Sequence, residues 1–447
     1  MKINIFWFRR DLRLHDNAGF YHALKSDYPV LPIFIFDKNI LEKLENKADA
    51  RVEFLHDTLT EMSKELKKLN SSILIKYGKP KEVWEEILKE YDVQNVFTNH
   101  DFETYGKKRD AVISKLLEKK EIGFHTYKDH VIFEKNEVTK KDGNPYVVFT
   151  PYSKIWRAKL DTKSMTFTNE NGDEETTSFY LAPYPNYKYF DNLFDSKPIK
   201  IPTLKKLGFE KTSIEIPDKT VSQSLIKSYD ENRDYPAKEG TSHLGIHFRH
   251  GTISIRDKAR KAQKLNATFL SELIWRDFYA QILHHYPHVE KGPFREKYEA
   301  IEWRNNEKEF KAWCEGKTGY PMVDAGMRQL NQSGYMHNRV RMVVASFLTK
   351  HLLINWQWGE AYFAEKLLDF DLASNNGGWQ WAAGCGTDAA PYFRIFNPES
   401  QLKKFDKNLK YVKEWVPEYG TDDYPEPIVD HKMARERCLA TYKEALQ

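Results

Sequence analysis

Apolar and polar positions change rhythm twice along the chain. Up to about residue 130, the short apolar runs INIFWF (3–8), VLPIFIF (30–36), SILIKY (72–77) and NVFTN (95–99) alternate with stretches such as KEVWEEILKEY (81–91), whose apolar residues recur at helical spacing. Strand-sized runs separated by amphipathic helical ones predict a parallel sheet covered by helices. Residues 1–130 are therefore expected to form a Rossmann-like α/β domain. It carries no GxGxxG turn, so the pattern gives dinucleotide binding there no support. Residues 131–228 lose periodicity and carry spaced prolines (Pro183, Pro185, Pro198, Pro202, Pro217) among charges, as a long connector with local structure would. Helical periodicity prevails in residues 229–447, as in ATFLSELIWRDFYAQILHHY (267–286) and NRVRMVVASFLTKHLL (338–353), and predicts a mainly helical C-terminal domain. No internal repeat is evident, and no disordered tail is expected after KMARERCLATYKEALQ.

A chain of 447 residues is too long for one simple core and suggests two or three domains, which 40% hydrophobic and 14% aromatic residues suffice to fill. No apolar run reaches membrane-spanning length, and the N-terminus lacks a charged-then-apolar leader, so a soluble, non-exported protein with no membrane partner is expected. Cys314, Cys385 and Cys438 are few and far apart, which excludes a disulfide framework and a CxxC-type zinc site and fits a reducing cytoplasm. The net charge of +4 is too small to argue for nucleic-acid binding by itself. Its distribution says more. Between Thr241 and Ser271, the bases Arg249, Arg256, Lys258, Arg260, Lys261 and Lys264 stand against the single acid Asp257, a run that suits a solvated helix face or a phosphate-binding surface.

Candidate chemistry concentrates late in the chain. Residues 375–398, NNGGWQWAAGCGTDAAPYFRIFNP, mix flat aromatic faces with glycines where backbone can approach a ligand closely, which suits a large planar cofactor as well as an aromatic core segment with a turn. The predicted helical domain holds eight of the eleven tryptophans: Trp275, Trp303, Trp313, Trp356, Trp358, Trp379, Trp381 and Trp415. On a helix, Glu272, Trp275 and Arg276 share a face, as do Asn338 and Met342. The segment EGTS (239–242) reads as a helix N-cap or an anion site, and DFD (369–371) as a solvated loop or half of a metal site. With no histidine or cysteine near DFD, a transition-metal site is not expected.

The spelling of 375–398, together with WFRRDLRLHDN (7–17), EGTSHL (239–244) and GYMHNRVRM (334–342), resembles the signature of the DNA photolyase/cryptochrome family in order and spacing. The resemblance covers nearly the whole chain and is strongest from about Tyr229 to Pro398. It implies FAD as the cofactor, held by Tyr229, Thr241, Ser242, His243, Leu244, Gly245, Phe269, Arg276, Arg341, Asp369, Phe370, Asp371 and Asn375. By the same resemblance Trp303, Trp356 and Trp379 are a relay carrying electrons from the surface to the flavin, since indole is readily oxidised. Trp275 and Trp381 match the pair that grips a flipped pyrimidine dimer, with Glu272 bonding the pyrimidine edge and Arg233, Arg339 and Lys404 holding DNA phosphates. Asn375 matches the position facing the reactive ring nitrogen, where asparagine is the photolyase pattern, aspartate the plant cryptochrome pattern and cysteine the insect one.

The resemblance also separates the family's branches. The (6-4) branch places histidines where this chain has Asn338 and Met342, because that reaction needs proton transfer. His337 next door reads as structural. The implied function is light-driven repair of cyclobutane pyrimidine dimers in DNA, with Glu272, Asn338, Met342 and Asn375 at the reacting site. A cryptochrome-type signalling photoreceptor and a (6-4) photolyase are the alternatives. Two departures concern FAD: Gly245 ends the TSxLS-like motif without a hydroxyl, and Phe269 stands where tryptophan is common. A third concerns an antenna chromophore. Folate-binding members carry an Asn-Glu pair where this chain has Tyr105 and Gly106, so folate is not expected and the antenna is left unassigned. A monomer acting on UV-damaged DNA in the cytoplasm, with the nucleoid if the source is bacterial, is expected.

Overall fold

The computed structural model describes residues 1–169 and 171–447. The chain divides into two compact units: residues 1–137, 156–219 and 244–264 form the first, and residues 138–155, 220–243 and 265–447 the second. Neither unit is one continuous stretch. Residues 131–228 are shared between the two, so the segment without periodicity contributes structure to both.

The first unit is built on strands β1 (Lys2–Phe8), β2 (Val30–Asp37), β3 (Leu74–Gly78), β4 (Asp92–Asn99) and β5 (Gly123–Tyr127), all parallel, in the order β3-β2-β1-β4-β5. Helices α1 (Ala18–Leu24), α2 (Ala50–Lys68), α3 (Pro80–Glu90) and α4 (Thr104–Glu118) provide the connections. Alternation along β1 explains the two faces: Ile3, Ile5 and Trp7 enter one apolar cluster with Trp84 of α3, and Phe6 and Phe8 enter the other with Leu59 and Met62 of α2. Strand β5, GFHTY, escapes the apolar pattern because it is an edge strand whose residues are all at least partly exposed. Among the described residues no helix is long and apolar enough to cross a membrane.

Chain order reverses between β1 and β4, and in such sheets that switch point is the usual ligand crevice. Here it is filled by the chain's own side chains, leaving about 10 Å³ among Arg9, Arg10, Asp11, Asn99, His100 and Asp101. Arg9 pairs with Asp110, Arg10 with Glu103 at 2.7 Å, and Asn99 donates to the Asp11 carboxylate at 2.5 Å. The two positions that bear on an antenna are also engaged: the Tyr105 hydroxyl bonds Asp37 and Asn39, and a Cβ at Gly106 would meet the Asp101 carboxylate.

The basic run 249–264 belongs to this network, which corrects both readings of it. Arg256 is 5% exposed and bonds Asp16 and Asp129, each at 2.8 Å, while Arg13 reaches Asp129 at 2.7 Å. Burial works against ionisation of Asp129, but the Arg13 and Arg256 guanidiniums outweigh it and bring the carboxyl down to about 2. Arg249 pairs with Glu103, and Arg260 donates to the Leu181 carbonyl. Only Lys261 and Lys264 of the run are well exposed, and they pair with Asp257 and Glu175. The run is neither a bare solvated face nor a free phosphate surface, because its arginines neutralise carboxylates within their own unit.

In the second unit the principal helices are α5 (Ala267–His285), α6 (Asn338–Ser346), α7 (Trp356–Lys366), α8 (Leu372–Ala383), α9 (Pro398–Phe405) and α10 (His431–Leu446). Their starts follow from capping residues: Asn266 accepts from the Thr268 and Phe269 amides, Asp371 from Ser374 and Asn397 from Ser400. Gly384, at φ 86°, ends α8 in the left-handed conformation. The long periodic stretch expected from 338 onward is helical to Ser346, then widens into a π-helical turn at Phe347–His351. Trp313 is fully buried and donates to the Val344 carbonyl, as a core anchor does.

Candidate active site

Helices α5, α6 and α8 meet around a cavity of about 450 Å³, the size of a cofactor or ligand site. Helical spacing brings Glu272, Trp275 and Arg276 of α5 to its wall, and Tyr279, one turn further on, joins them. From α6 come Asn338, Arg341 and Met342. The segment 369–381 supplies Asp369, Phe370, Asp371, Asn375, Trp379 and Trp381, and Arg233 reaches the cavity from residues 220–243. Thirteen of the expected site residues thus line one space.

The charges on this wall are held by partners. Arg233 donates to the Glu272 carboxylate, so the glutamate is held across the cavity wall by a residue from outside its own helix. Arg341 holds Asp369 at 2.9 Å and also donates to the Met336 carbonyl. The Asn375 amide donates to the Glu360 carbonyl at 3.1 Å, and the Glu360 carboxylate accepts from Asn376 at 2.9 Å. Burial raises the Glu360 carboxyl to about 7 despite the Asn376 hydrogen bond, with Glu290 adding to the rise. His337 is 2% exposed and accepts the Arg339 amide as the cap of α6, and burial together with nearby Arg341 lowers its imidazole to about 4. It is therefore neutral at ordinary pH, with its Nδ1 engaged as the cap of α6.

Aromatic geometry follows close backbone approaches. Trp275 lies flat on Phe149, with ring centres 3.7 Å apart and planes within 2°. A Cβ at Gly377 of α8 would lie 2.2 Å from the Tyr279 ring, and one at Gly359 of α7 would lie 2.1 Å from the Trp379 ring. Only glycine lets those rings press against the neighbouring helix. Trp379 (2% exposed) and Trp356 (3%) are buried, and Trp303 is partly exposed. Among the described residues no direct ring contact joins these three: Trp379 meets Trp313 and Phe363, and Trp303 meets Tyr442. The Trp356 and Trp379 rings are instead set into packed helices α7 and α8, and Trp303 comes from the segment that precedes them.

Several expected residues lie off the cavity wall. Tyr229 packs edge-on against buried Phe269, Thr241 bonds the Tyr335 hydroxyl at 3.0 Å, and His243 packs on the Tyr335 ring. Ser242 adjoins them in sequence, while Leu244 and Gly245 belong to the first unit, where Gly245 opens a six-residue helix. Arg339 stacks on Phe405 at 4.4 Å and pairs with Asp234, and Lys404 is exposed on α9. Sequence reasoning missed Phe149, Tyr279, Gly359 and Glu360. Tyr279 was legible from its spacing on α5. Phe149 was not, because it comes from the aperiodic segment.

Two family models match the chain: DNA photolyase over residues 4–169 and the FAD binding domain of DNA photolyase over residues 269–421. A deoxyribodipyrimidine photo-lyase from Halobacterium salinarum is 35% identical over 497 residues, covering 99% of each chain. The chain belongs to the DNA photolyase family. Among solved structures, a bacterial class III photolyase from Agrobacterium tumefaciens superposes with a TM-score of 0.83 at 32% identity, covering 100% of this chain and 98% of that one. A Synechocystis cryptochrome gives 0.82 at 23% identity and covers 99% of each, which shows that the photolyase fold is shared with cryptochromes. The photolyase site fits FAD in its own terms. The cavity has an apolar floor from Phe363, Leu367 and Phe370, a cation at Arg341 and an anchored amide at Asn375. At Gly378 an added Cβ would meet nothing, so that side of α8 is bare.

Proposed function

We propose that the protein is a deoxyribodipyrimidine photo-lyase that repairs cyclobutane pyrimidine dimers in DNA, with its chemistry in the helical C-terminal region 229–447. The observation that carries this reading is the convergence of Glu272, Trp275, Asn338, Met342, Asn375 and Trp381 on a single cavity. Reduced FAD, when bound, supplies on absorbing light the electron that splits the cyclobutane ring, and recovers it afterwards. Arg276, Arg341, Asp369, Phe370, Asp371 and Asn375 would hold it, with Tyr229, Thr241, Ser242, His243 and Phe269 completing the set.

The chain itself binds, orients and excludes water. Trp275 and Trp381 stack on the extruded pyrimidines, and Phe149 fixes the Trp275 plane before a base arrives. Extrusion costs a few kcal/mol, least for a damaged pair, so lesions are selected before chemistry. Glu272 accepts hydrogen bonds from the pyrimidine edge, and Arg233 keeps that carboxylate aimed. Arg339 and Lys404 contact phosphates. Asn338 and Met342 offer no proton, and His337 is neutral and occupied as a cap, so the acid that a (6-4) product needs is missing. Trp303, Trp356 and Trp379 form the relay that returns the enzyme to its reduced state. We read the protein as a monomer working in the compartment that holds the DNA.

The test is anaerobic illumination of the reduced protein with oligonucleotides carrying one defined lesion, followed by product chromatography. Cyclobutane thymine dimers should revert to thymines, and (6-4) products should persist. Repair of the latter, or of neither, overturns the assignment.

A further inference from the structure

Trp275 is held by more than its own helix. Phe149, which lies flat against it, opens the helix Phe149–Leu160, and the first amides of a helix have no carbonyl partner behind them. Val147 and Val148, the residues just before it, carry no side-chain acceptor to cap it. The cap comes from 239 positions further along the chain, where Asp388 Oδ2 accepts the Phe149 amide at 3.3 Å. A second tether lies upstream: the side-chain amide of Gln281, 3% exposed on α5, donates to the Tyr146 carbonyl at 2.7 Å.

We infer that Asp388 and Gln281 are positioning residues for lesion recognition: they clasp segment 146–149 so that Phe149 presets the plane of Trp275. The inference rests on the dimer-repair reading proposed above. Ring centres 3.7 Å apart leave Trp275 no space to turn about its side-chain bonds while Phe149 stays in place. Phe278 stands edge-on to both rings, 5.5 Å from Trp275 and 5.9 Å from Phe149. With one face covered, Trp275 still lines the cavity, so a pyrimidine meets a ring already oriented. A ring free to rotate would lose that freedom on binding, which costs about threefold to tenfold in affinity for one side chain. Intact bases stay stacked in their duplex and do not reach Trp275, so the clasp acts on damaged DNA alone.

Asp388 is itself fixed in place. Its backbone takes the left-handed conformation at φ 48°, which a residue with a Cβ keeps only where its surroundings hold it. The turn that carries it is anchored on α8, because the Cys385 and Gly386 amides both donate to the Gln380 carbonyl at 3.1 Å. The Arg295 amide donates to the Cys385 carbonyl at 3.0 Å and ties the turn from its other side. The clasp therefore runs from the helix bearing Trp379 and Trp381 to the helix bearing Trp275, by way of segment 146–149.

The test uses the full chain loaded with reduced FAD, fluorescence anisotropy with dimer-containing and undamaged oligonucleotides, and anaerobic repair at saturating DNA. Asp388→Ala should weaken dimer binding about threefold to tenfold, while affinity for undamaged DNA and the repair yield per photon at saturation stay at the parent's level. Asp388→Asn keeps an oxygen for the Phe149 amide and should restore parental affinity. Phe149→Leu fills the space without a flat face and should reproduce the Asp388→Ala loss. In the Trp275→Ala background neither change should cost anything further. A loss that persists undiminished in that background, or that falls equally on undamaged DNA, overturns the inference. So does Asp388→Ala with parental affinity, or Asp388→Asn as weak as Asp388→Ala. A parent protein that does not prefer dimer-containing DNA defeats the repair reading itself.

Discussion

The switch-point crevice of the sheet and the cavity of the helical unit are made from the same kinds of side chain, yet only one of them has room for a ligand. In the sheet, Arg9, Arg10, Asp11 and Asp101 leave strand ends that lie side by side, so they meet one another and close the crevice to about 10 Å³. In the helical unit, Arg233–Glu272 and Arg341–Asp369 pair along the wall of a cavity of about 450 Å³, and the aromatic rings between them keep it open. Clusters of charge at element ends therefore do not identify a site. What distinguishes the second cluster is unfilled volume beside flat rings whose positions glycines permit.

The comparison breaks most sharply at Trp379. Trp379→Phe keeps most of the apolar volume against Gly359 but removes the oxidisable indole, so light-driven reduction of bound oxidised FAD should be lost, while chemically reduced enzyme still repairs dimers. Absorption spectra under illumination check the first and product chromatography the second. Loss of FAD binding in this variant would make Trp379 a packing residue like Trp313.

Next in size is the closed network of the first unit. Asp129→Ala leaves Arg13 and Arg256 buried without their shared carboxylate and should cost about 3 to 5 kcal/mol of stability, read by urea denaturation. Because the Asp129 carboxyl is lowered to about 2, its stabilisation is full above the ordinary carboxylate range and is lost as pH falls through about 2. A variant as stable as the parent near neutral pH would show the network to be replaceable surface charge.

Lesion binding gives a smaller effect. Trp275→Ala and Trp381→Ala should each weaken binding to dimer-containing DNA by about 1 to 3 kcal/mol and leave undamaged DNA unaffected. Lys404→Ala should weaken both equally and reduce the salt slope by about 1. Fluorescence anisotropy across a salt series separates the two. Equal losses on both DNAs from the tryptophan variants would dissolve the division between lesion reader and phosphate contact.

The smallest effect tests the buried carboxyl beside the cavity. Glu360 is raised to about 7, so the folded state holds its proton where the unfolded chain has released it, and this group makes stability fall as pH rises through the interval up to about 7. Glu360→Gln should stabilise the protein at pH 8 by on the order of 1 to 2 kcal/mol and lose that advantage in acid. Denaturation midpoints at two pH values decide it. An unchanged difference between them would mean the carboxyl is solvated.

Much of this architecture was legible in local pattern. Alternation in INIFWF divides β1 between two cores, and the spacings 272/275/276 and 338/342 put those residues on one wall. Such features depend on strand and helix periodicity, which the covalent chain sets for neighbours. The basic run 249–264 was misleading for the same reason. Local composition records six positive charges and cannot record the distant partners, Glu103, Asp16 and Asp129, that bring its arginines inside.

By itself, then, the sequence determined which segments become strands and helices, which faces they bury and, through its resemblance, which family the site belongs to. The tertiary structure alone decided that β5 joins the sheet edge, that Phe149 lies flat on Trp275, and that Gly359 admits Trp379 against α7. It also decided that Asp388 accepts the Phe149 amide. Each of these joins segments remote in sequence or a strand with no apolar face, and depends on packing distances of a few ångströms that no local periodicity encodes.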